Sequence, residues 1–177
     1  SLESIDPLLK VTYQKLIYFR GIEFFNNNDL SNAEAQFKKS FVQNADPRLN
    51  ALNLYWLAEV AYLKRDFPGA IDTWKRFQLT EGAAGLMEYD LSNYAIGYAY
   101  FKRKQAGDYT EANIAFRKFL LGTRQHDARK VADANIRAAD CYFMNRDFSQ
   151  ASDYYRKGIE LKQVDVDYCL YQKGLCD

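Results

Sequence analysis

The sequence has little of what chemistry at a protein site requires. Among its 177 residues histidine occurs once, as His126 in the polar run GTRQHDARK, where it reads as a solvated linker residue. No HExxH, GxSxG, GxxxxGK or GxGxxG run occurs, so metallohydrolases, serine hydrolases and phosphate- or dinucleotide-binding enzymes have no motif to rest on. Cys141, Cys169 and Cys176 form an odd set without CxxC. The last two stand two helical turns apart, roughly 10 Å along the axis, too far for a disulfide within one helix. All three read as small apolar residues inside helices. Proline is limited to Pro7, Pro47 and Pro68, and valine-rich alternating runs are missing, which leaves helices rather than strands. No stretch of about 18 residues is apolar enough to span a bilayer directly, and the opening SLESIDPLLK lacks the basic region and apolar stretch of a secretory signal. An excess of charge is missing too: Lys plus Arg is 24 and Asp plus Glu is 23, a net of +1. That balance attracts neither a phosphate backbone nor an acidic membrane strongly, so no nucleic-acid partner is expected. Two short basic clusters, Lys102 to Lys104 and the group Arg124, Arg129 and Lys130, read as helix-end and loop charge.

What is present is apolar and aromatic. Hydrophobic residues make up 48% of the chain and aromatic ones 16%, with 14 Tyr and 12 Phe, enough to bury a core without metals or disulfides. The chain also repeats itself. NNNDLSNAEAQF at 26–37, LKRDFPGAIDTW at 63–74, QAGDYTEANIAF at 105–116 and MNRDFSQASDYY at 144–155 share Asp, then Leu or a ring, an Ala four places after the Asp, and a second ring four places beyond it. The anchor alanines Ala33, Ala70, Ala112 and Ala151 are spaced 37, 42 and 39 apart. Upstream of each stands another small residue, Gly21, Ala58, Gly97 or Ala139, suited to close helix contact with rings filling the remaining space. Each unit is therefore a helix pair joined by a tight turn.

Asp29, Asp66, Asp108 and Asp147 stand where a helix start favours an acid, and Pro68 fits the first turn of its helix. These signals predict helices over about 8–27, 31–44, 48–64, 68–79, 87–103, 109–121, 128–145 and 149–162, with a ninth beginning near 166. The units run near 8–46, 47–82, 86–124 and 127–163, a truncated fifth starts at about 166, and together they read as one repeat domain over 1–177. In the fifth, Gly174 takes the place of Gly21 and Gly97. An interrupted unit leads to the expectation that a parent chain continues past Asp177. KRKQAGDY carries three extra turn residues, and QLTEGAAGLMEYD reads as a loop on an exposed edge or a partner-specific projection.

These residues resemble the tetratricopeptide repeat family, whose pattern of large, small and aromatic positions is met four times. The first unit shows Gly21, Phe24, Ala33 and Phe37; the second Leu54, Leu57, Ala58, Ala70 and Trp74; the third Gly97, Tyr100, Ala112 and Phe116; the fourth Ala139, Tyr142, Ala151 and Tyr155. Ala61 stands where the family has a ring, and Ser40, Phe77, Phe119 and Gly158 stand where it has a later alanine. The resemblance implies an all-α fold, a right-handed superhelix of antiparallel helix pairs, and a protein-binding scaffold rather than an enzyme. Runs such as DYTEANIAFRKFL look like the bacterial envelope branch of the family, with proteins of outer-membrane assembly and the Tol-Pal and cell-division system, and imply a periplasmic or envelope-associated setting. Acyl anchoring would require an upstream Cys and signal.

Carried over residue by residue, the family's concave face takes Tyr18, Ile22 and Phe25, then Tyr55, Glu59 and Tyr62, then Tyr94, Tyr98 and Phe101, then Ile136, Asp140 and Phe143, and finally Tyr171. Such rings suit a groove for an extended peptide or a partner helix. The same rings could equally pack on one another and narrow that face. Lys15 and Lys102 are scattered, so the lysine-rich carboxylate clamp of chaperone-binding relatives is not expected. Glu59 and Asp140 fall on separate repeats and give no acid–base pair; no catalytic residue, cofactor or metal is expected. Two roles remain: an adaptor that captures a protein or peptide, and a section of a longer array that stacks or self-associates through exposed terminal helices.

Overall fold

The computed structural model describes residues 6–122, 127–161 and 166–176. His126 and Arg124 lie outside them. The described residues are all-helical and form nine α-helices: α1 Pro7–Asn26, α2 Leu30–Gln43, α3 Pro47–Leu63, α4 Phe67–Leu79, α5 Glu88–Arg103, α6 Asp108–Leu121, α7 Ala128–Met144, α8 Phe148–Leu161 and α9 Val166–Cys176. Each boundary falls within about two residues of the span predicted from repeats and capping signals.

The starts are set by aspartates. Asp6, Asp29, Asp46, Asp66 and Asp127 each accept a backbone N–H from the first turn of the helix that follows, and Asp147 does the same from Gln150 at 3.2 Å. The ends of α1, α3 and α7 share one device. The N–H groups of Asp29, Asp66 and Asp147 reach back five residues to the carbonyls of Phe24, Ala61 and Tyr142, all at 2.9 Å. Closing that turn puts Asn28, Arg65 and Arg146 in the left-handed region, at φ of 59°, 65° and 60°, where glycine usually stands. The third pair departs from this. Its extra residues include Lys104 at φ 57° and Gly107 at φ 83°, and the turn is clamped by buried Asp108. That carboxylate takes Arg103 Nε at 2.9 Å, Arg103 Nη2 at 2.7 Å and the Gln105 N–H at 2.8 Å. The Arg103 bond holds the Asp108 carboxyl below the usual carboxylate range.

The described chain falls into two compact units, residues 1–89 and 90–177, each with its own core. In the first, Tyr18, Ala33, Phe37 and Val60 are buried, with Ile22, Phe25, Trp56 and Leu57 packed on them. The small residues do what the repeat required: a Cβ at Gly21 would lie 2.6 Å from the Phe37 ring. A buried amide network fixes the passage from α2 to α3. Gln14 has no exposed surface; its Nε2 donates to Asn50 at 2.7 Å, and its Oε1 accepts the N–H groups of Ala45 and Asp46 at 3.0 and 2.9 Å. Ser40 joins it, donating to the Gln14 carbonyl at 3.1 Å and accepting from Asn53 at 2.8 Å, which accounts for a hydroxyl in place of the family's alanine. The segment after α4 is not a free projection: Ala83 and Leu86 are buried, and Gly82, at φ 84°, lies against the Pro47–Arg48 backbone.

In the second unit Ile136, Ala139, Ala151, Tyr155 and Cys169 form a core under Tyr142, Phe143, Tyr154 and Tyr168. Gly97 repeats the role of Gly21, with its would-be Cβ 2.8 Å from the Phe116 ring. All four anchor alanines are fully buried. Phe77 and Phe119, standing where the family has alanine, are buried as well and meet Tyr55 at 5.5 Å and Tyr94 at 5.1 Å between ring centroids.

Candidate functional site

In the first unit the expected face residues gather around one tryptophan. Trp56 donates to the Tyr18 hydroxyl at 3.0 Å and packs edge-on with Phe25 at 5.0 Å and Tyr55 at 5.5 Å. Tyr18 and Tyr55 are buried. Tyr55 bonds Glu59 one turn on; burial pushes the Glu59 carboxyl up, and the Tyr55 bond opposes it. Tyr62 stands apart, between Phe67 at 5.6 Å and Trp74 at 5.9 Å. The ring faces of this unit are largely spent on their own second helices.

The second unit brings its face residues onto a charged centre on α7 that the repeat pattern does not announce. Tyr94 and Tyr98, one turn apart on α5, both donate to Asp133 Oδ2, the former at 2.8 Å. Tyr155 on α8 and Tyr168 on α9 both donate to Asp140 Oδ1, at 2.7 and 2.8 Å. Arg137 lies between the carboxylates, 3.4 Å from Asp133 and 2.6 Å from Asp140, with its guanidinium 5.9 Å from the Phe101 ring centroid. One cation, two carboxylates and four phenols thus join α5, α7, α8 and α9. Burial pushes Asp140 up against the pull of Tyr155 and Arg137; burial works against the Arg137 charge, but Asp140, Tyr98 and Asp133 outweigh it and raise its pKa. Burial, with the bonds to these acids, pushes Tyr98 and Tyr168 up to about 12, and Tyr94 and Tyr155 further still.

Beside this centre is a cleft of about 260 Å³. Phe101, Tyr109 and Phe143 wall it, Arg137 and Asp140 line it, and Lys104 stands at its edge. Phe101 packs edge-on with Tyr109 at 5.6 Å and Phe143 with Phe148 at 5.3 Å. Phe101, Asp140 and Phe143 are thus brought together, Tyr94 and Tyr98 form a second pair beside Asp133, and Tyr171 stands apart, 67% exposed on α9. Asp133, Arg137, Tyr109 and Tyr168 were not read from the sequence, and Tyr155 was read only as the anchor ring of its repeat. The places of Asp133 and Arg137 hold Lys15 and Phe19, Leu52 and Trp56, or Leu91 and Ala95 in the other units, so a search for what recurs passes over them.

Among the described residues no cluster of His, Cys, Asp and Glu is arranged to hold a metal ion, and no helix is long and apolar enough to cross a membrane. Burial pushes the Cys141 thiol up to about 12, far from a thiolate nucleophile at neutral pH.

No family model matches the chain. No curated protein matches it either. Solved structures do. MamA aligns over 88% of this chain and 81% of its own at a TM-score of 0.67 and 21% identity. RapI in its apo form aligns over 93% and 62% at 0.72 and 14%. TTC0263, a thermophilic tetratricopeptide protein of Thermus thermophilus, aligns over 92% and 98% at 0.52 and 13%. The fold is that of the tetratricopeptide helical-repeat proteins.

Proposed function

We propose that this chain is a non-enzymatic scaffold that takes an extended peptide or a partner helix on the first-helix face of its second unit, in the cleft between Phe101 and Phe143. The observation that carries this reading is the pairing of partly exposed rings with a charged centre whose members already satisfy one another. Rings supply apolar contact at low rotamer cost, and a preformed polar floor fixes the orientation of what binds. Tyr18 and Tyr55 serve chiefly to hold the first unit together, with Tyr94 and Tyr98 doing so in the second, and an alanine at any of them tests folding as much as binding.

The test is binding of immobilised peptides to the chain and to the double variant Phe101→Ala, Phe143→Ala, with helicity followed by circular dichroism. We expect helicity to hold and peptide capture to fall at least about tenfold, the loss of two partly buried ring contacts. Unchanged capture by the folded variant would overturn the reading. Two further parts of the proposal are that nucleic acid is not retained even at low salt and that the setting is envelope-associated, as the sequence resemblance implies; cell fractionation checks the second. A different observation favours a second reading, a section that stacks through its terminal helices: Leu16 on α1 is 69% exposed and Tyr171 on α9 is 67% exposed.

A further inference from the structure

One polar group in the ring-walled cleft is left over. Gln172 on α9 lines it beside Arg137 and Asp140, and its Oε1 is buried without a donor among the described residues. Three donors that line the cleft with it are engaged elsewhere: Tyr155 and Tyr168 donate to Asp140 Oδ1, and Arg137 donates to Asp140 Oδ2 at 2.6 Å and to Asp133. In the repeat register Gln172 takes the place of Trp56 and Arg137, side chains that reach the preceding first helix, Trp56 to Phe25 on α1 and Arg137 to Phe101 on α5. Both stay part-exposed with α4 and α8 packed in place, so a second helix does not cover this position. A buried carbonyl oxygen without a donor costs stability until a donor is supplied. The oxygen therefore points to an N–H brought by whatever enters the cleft.

Size and charge narrow what that is. One turn of α-helix with its side chains fills roughly 400–600 Å³, against about 260 Å³ in the cleft. The N–H groups within a helix are moreover spent on its own carbonyls, whereas an extended chain keeps its N–H groups open. The charges in and behind the cleft balance: Lys104 and Arg137 line it with Asp140, and Asp133 holds Arg137 from the other side. With two cations and two carboxylates the cleft favours neither sign, and the rings of Phe101, Tyr109 and Phe143 favour an apolar side chain.

We propose that the cleft takes a segment of a partner protein in extended form, one main-chain N–H donating to Gln172 Oε1 and the apolar side chain next to it lying between Phe101 and Phe143. This rests on the cleft reading above and names the form of its ligand. The probes are short random peptides, immobilised. Those kept by the parent chain and lost from the double variant Phe101→Ala, Phe143→Ala are remade with single N-methyl groups along the main chain. They are then titrated against the parent and against Gln172→Met, which keeps the side-chain length and removes the acceptor; Gln172→Leu serves should Gln172→Met lose helicity. One N-methyl position is expected to weaken binding to the parent at least about tenfold and to have little further effect on Gln172→Met. The variant itself should melt no lower than the parent, because the oxygen it loses had no bond to give up. Peptides that no N-methyl group affects, or that circular dichroism shows helical when bound, overturn this proposal and leave the cleft reading standing. A position equally sensitive in both proteins overturns the assignment to Gln172. The absence of any peptide that depends on Phe101 and Phe143 overturns the cleft reading and this proposal with it.

Discussion

At the scale of single residues, the first unit depends on one side chain that the repeat pattern did not mark. Gln14 is fully buried and accepts two backbone N–H groups, those of Ala45 and Asp46. Gln14→Ala removes those acceptors and leaves a cavity, and we expect a loss of about 2–4 kcal/mol in urea unfolding. Arg146 offers the opposite case. It sits at φ 60° in the tight turn between α7 and α8, a conformation costly for a residue with a Cβ. Arg146→Gly relieves that cost while adding chain entropy to the unfolded state, and a net gain of about 0.5–1 kcal/mol is expected by thermal melting. The anchor alanines were legible because they recur at a fixed period. Gln14 was not, because its places in other units hold Ala51, Asp90 and Ala132, and a solitary Gln in a helix reads as surface until its partners are known.

At the scale of elements, the centre on α7 sets how α5, α8 and α9 meet it, and its tyrosines give it a pH signature. Folded Tyr98 and Tyr168 are pushed up to about 12, against about 10 for an unfolded tyrosine. The shift is upward, so the fold keeps this contribution in full below about pH 10 and loses it as pH rises toward 12. Tyrosinate absorbance should therefore lag for these phenols and then rise together with loss of helicity, because ionising them sets phenolates against Asp133 and Asp140. Free titration near pH 10 with helices intact would contradict the buried bonds. Helix starts, turns and boundaries were legible here from aspartates and period. Tyr18, Tyr55, Tyr94 and Tyr98 lie on first helices, and which rings retain open surface depends on the second-helix partner. Phe77 and Phe119, read only as departures from alanine, are what cover Tyr55 and Tyr94.

At the scale of the whole molecule, helix pairs of tetratricopeptide type hold together a chain that, on the proposed reading, keeps a ring-walled cleft open for a protein partner. The repeat arithmetic made the all-α fold readable, since a period near 40 residues with small and aromatic anchors has few other solutions. The cleft was less so. Phe101, Asp140 and Phe143 were named for their register, whereas Arg137, which lines the cleft beside Asp140, has no charged counterpart in the other units. The decisive measurement is photo-crosslinking in cells with benzoylphenylalanine in place of Phe143, followed by mapping of the joined peptide by mass spectrometry. One recurrent peptide from another protein is expected, lost when Phe101→Ala and Lys104→Ala are added while circular dichroism is unchanged. Crosslinks only to the chain itself, or a foreign peptide that persists in that folded variant, would contradict the proposed role.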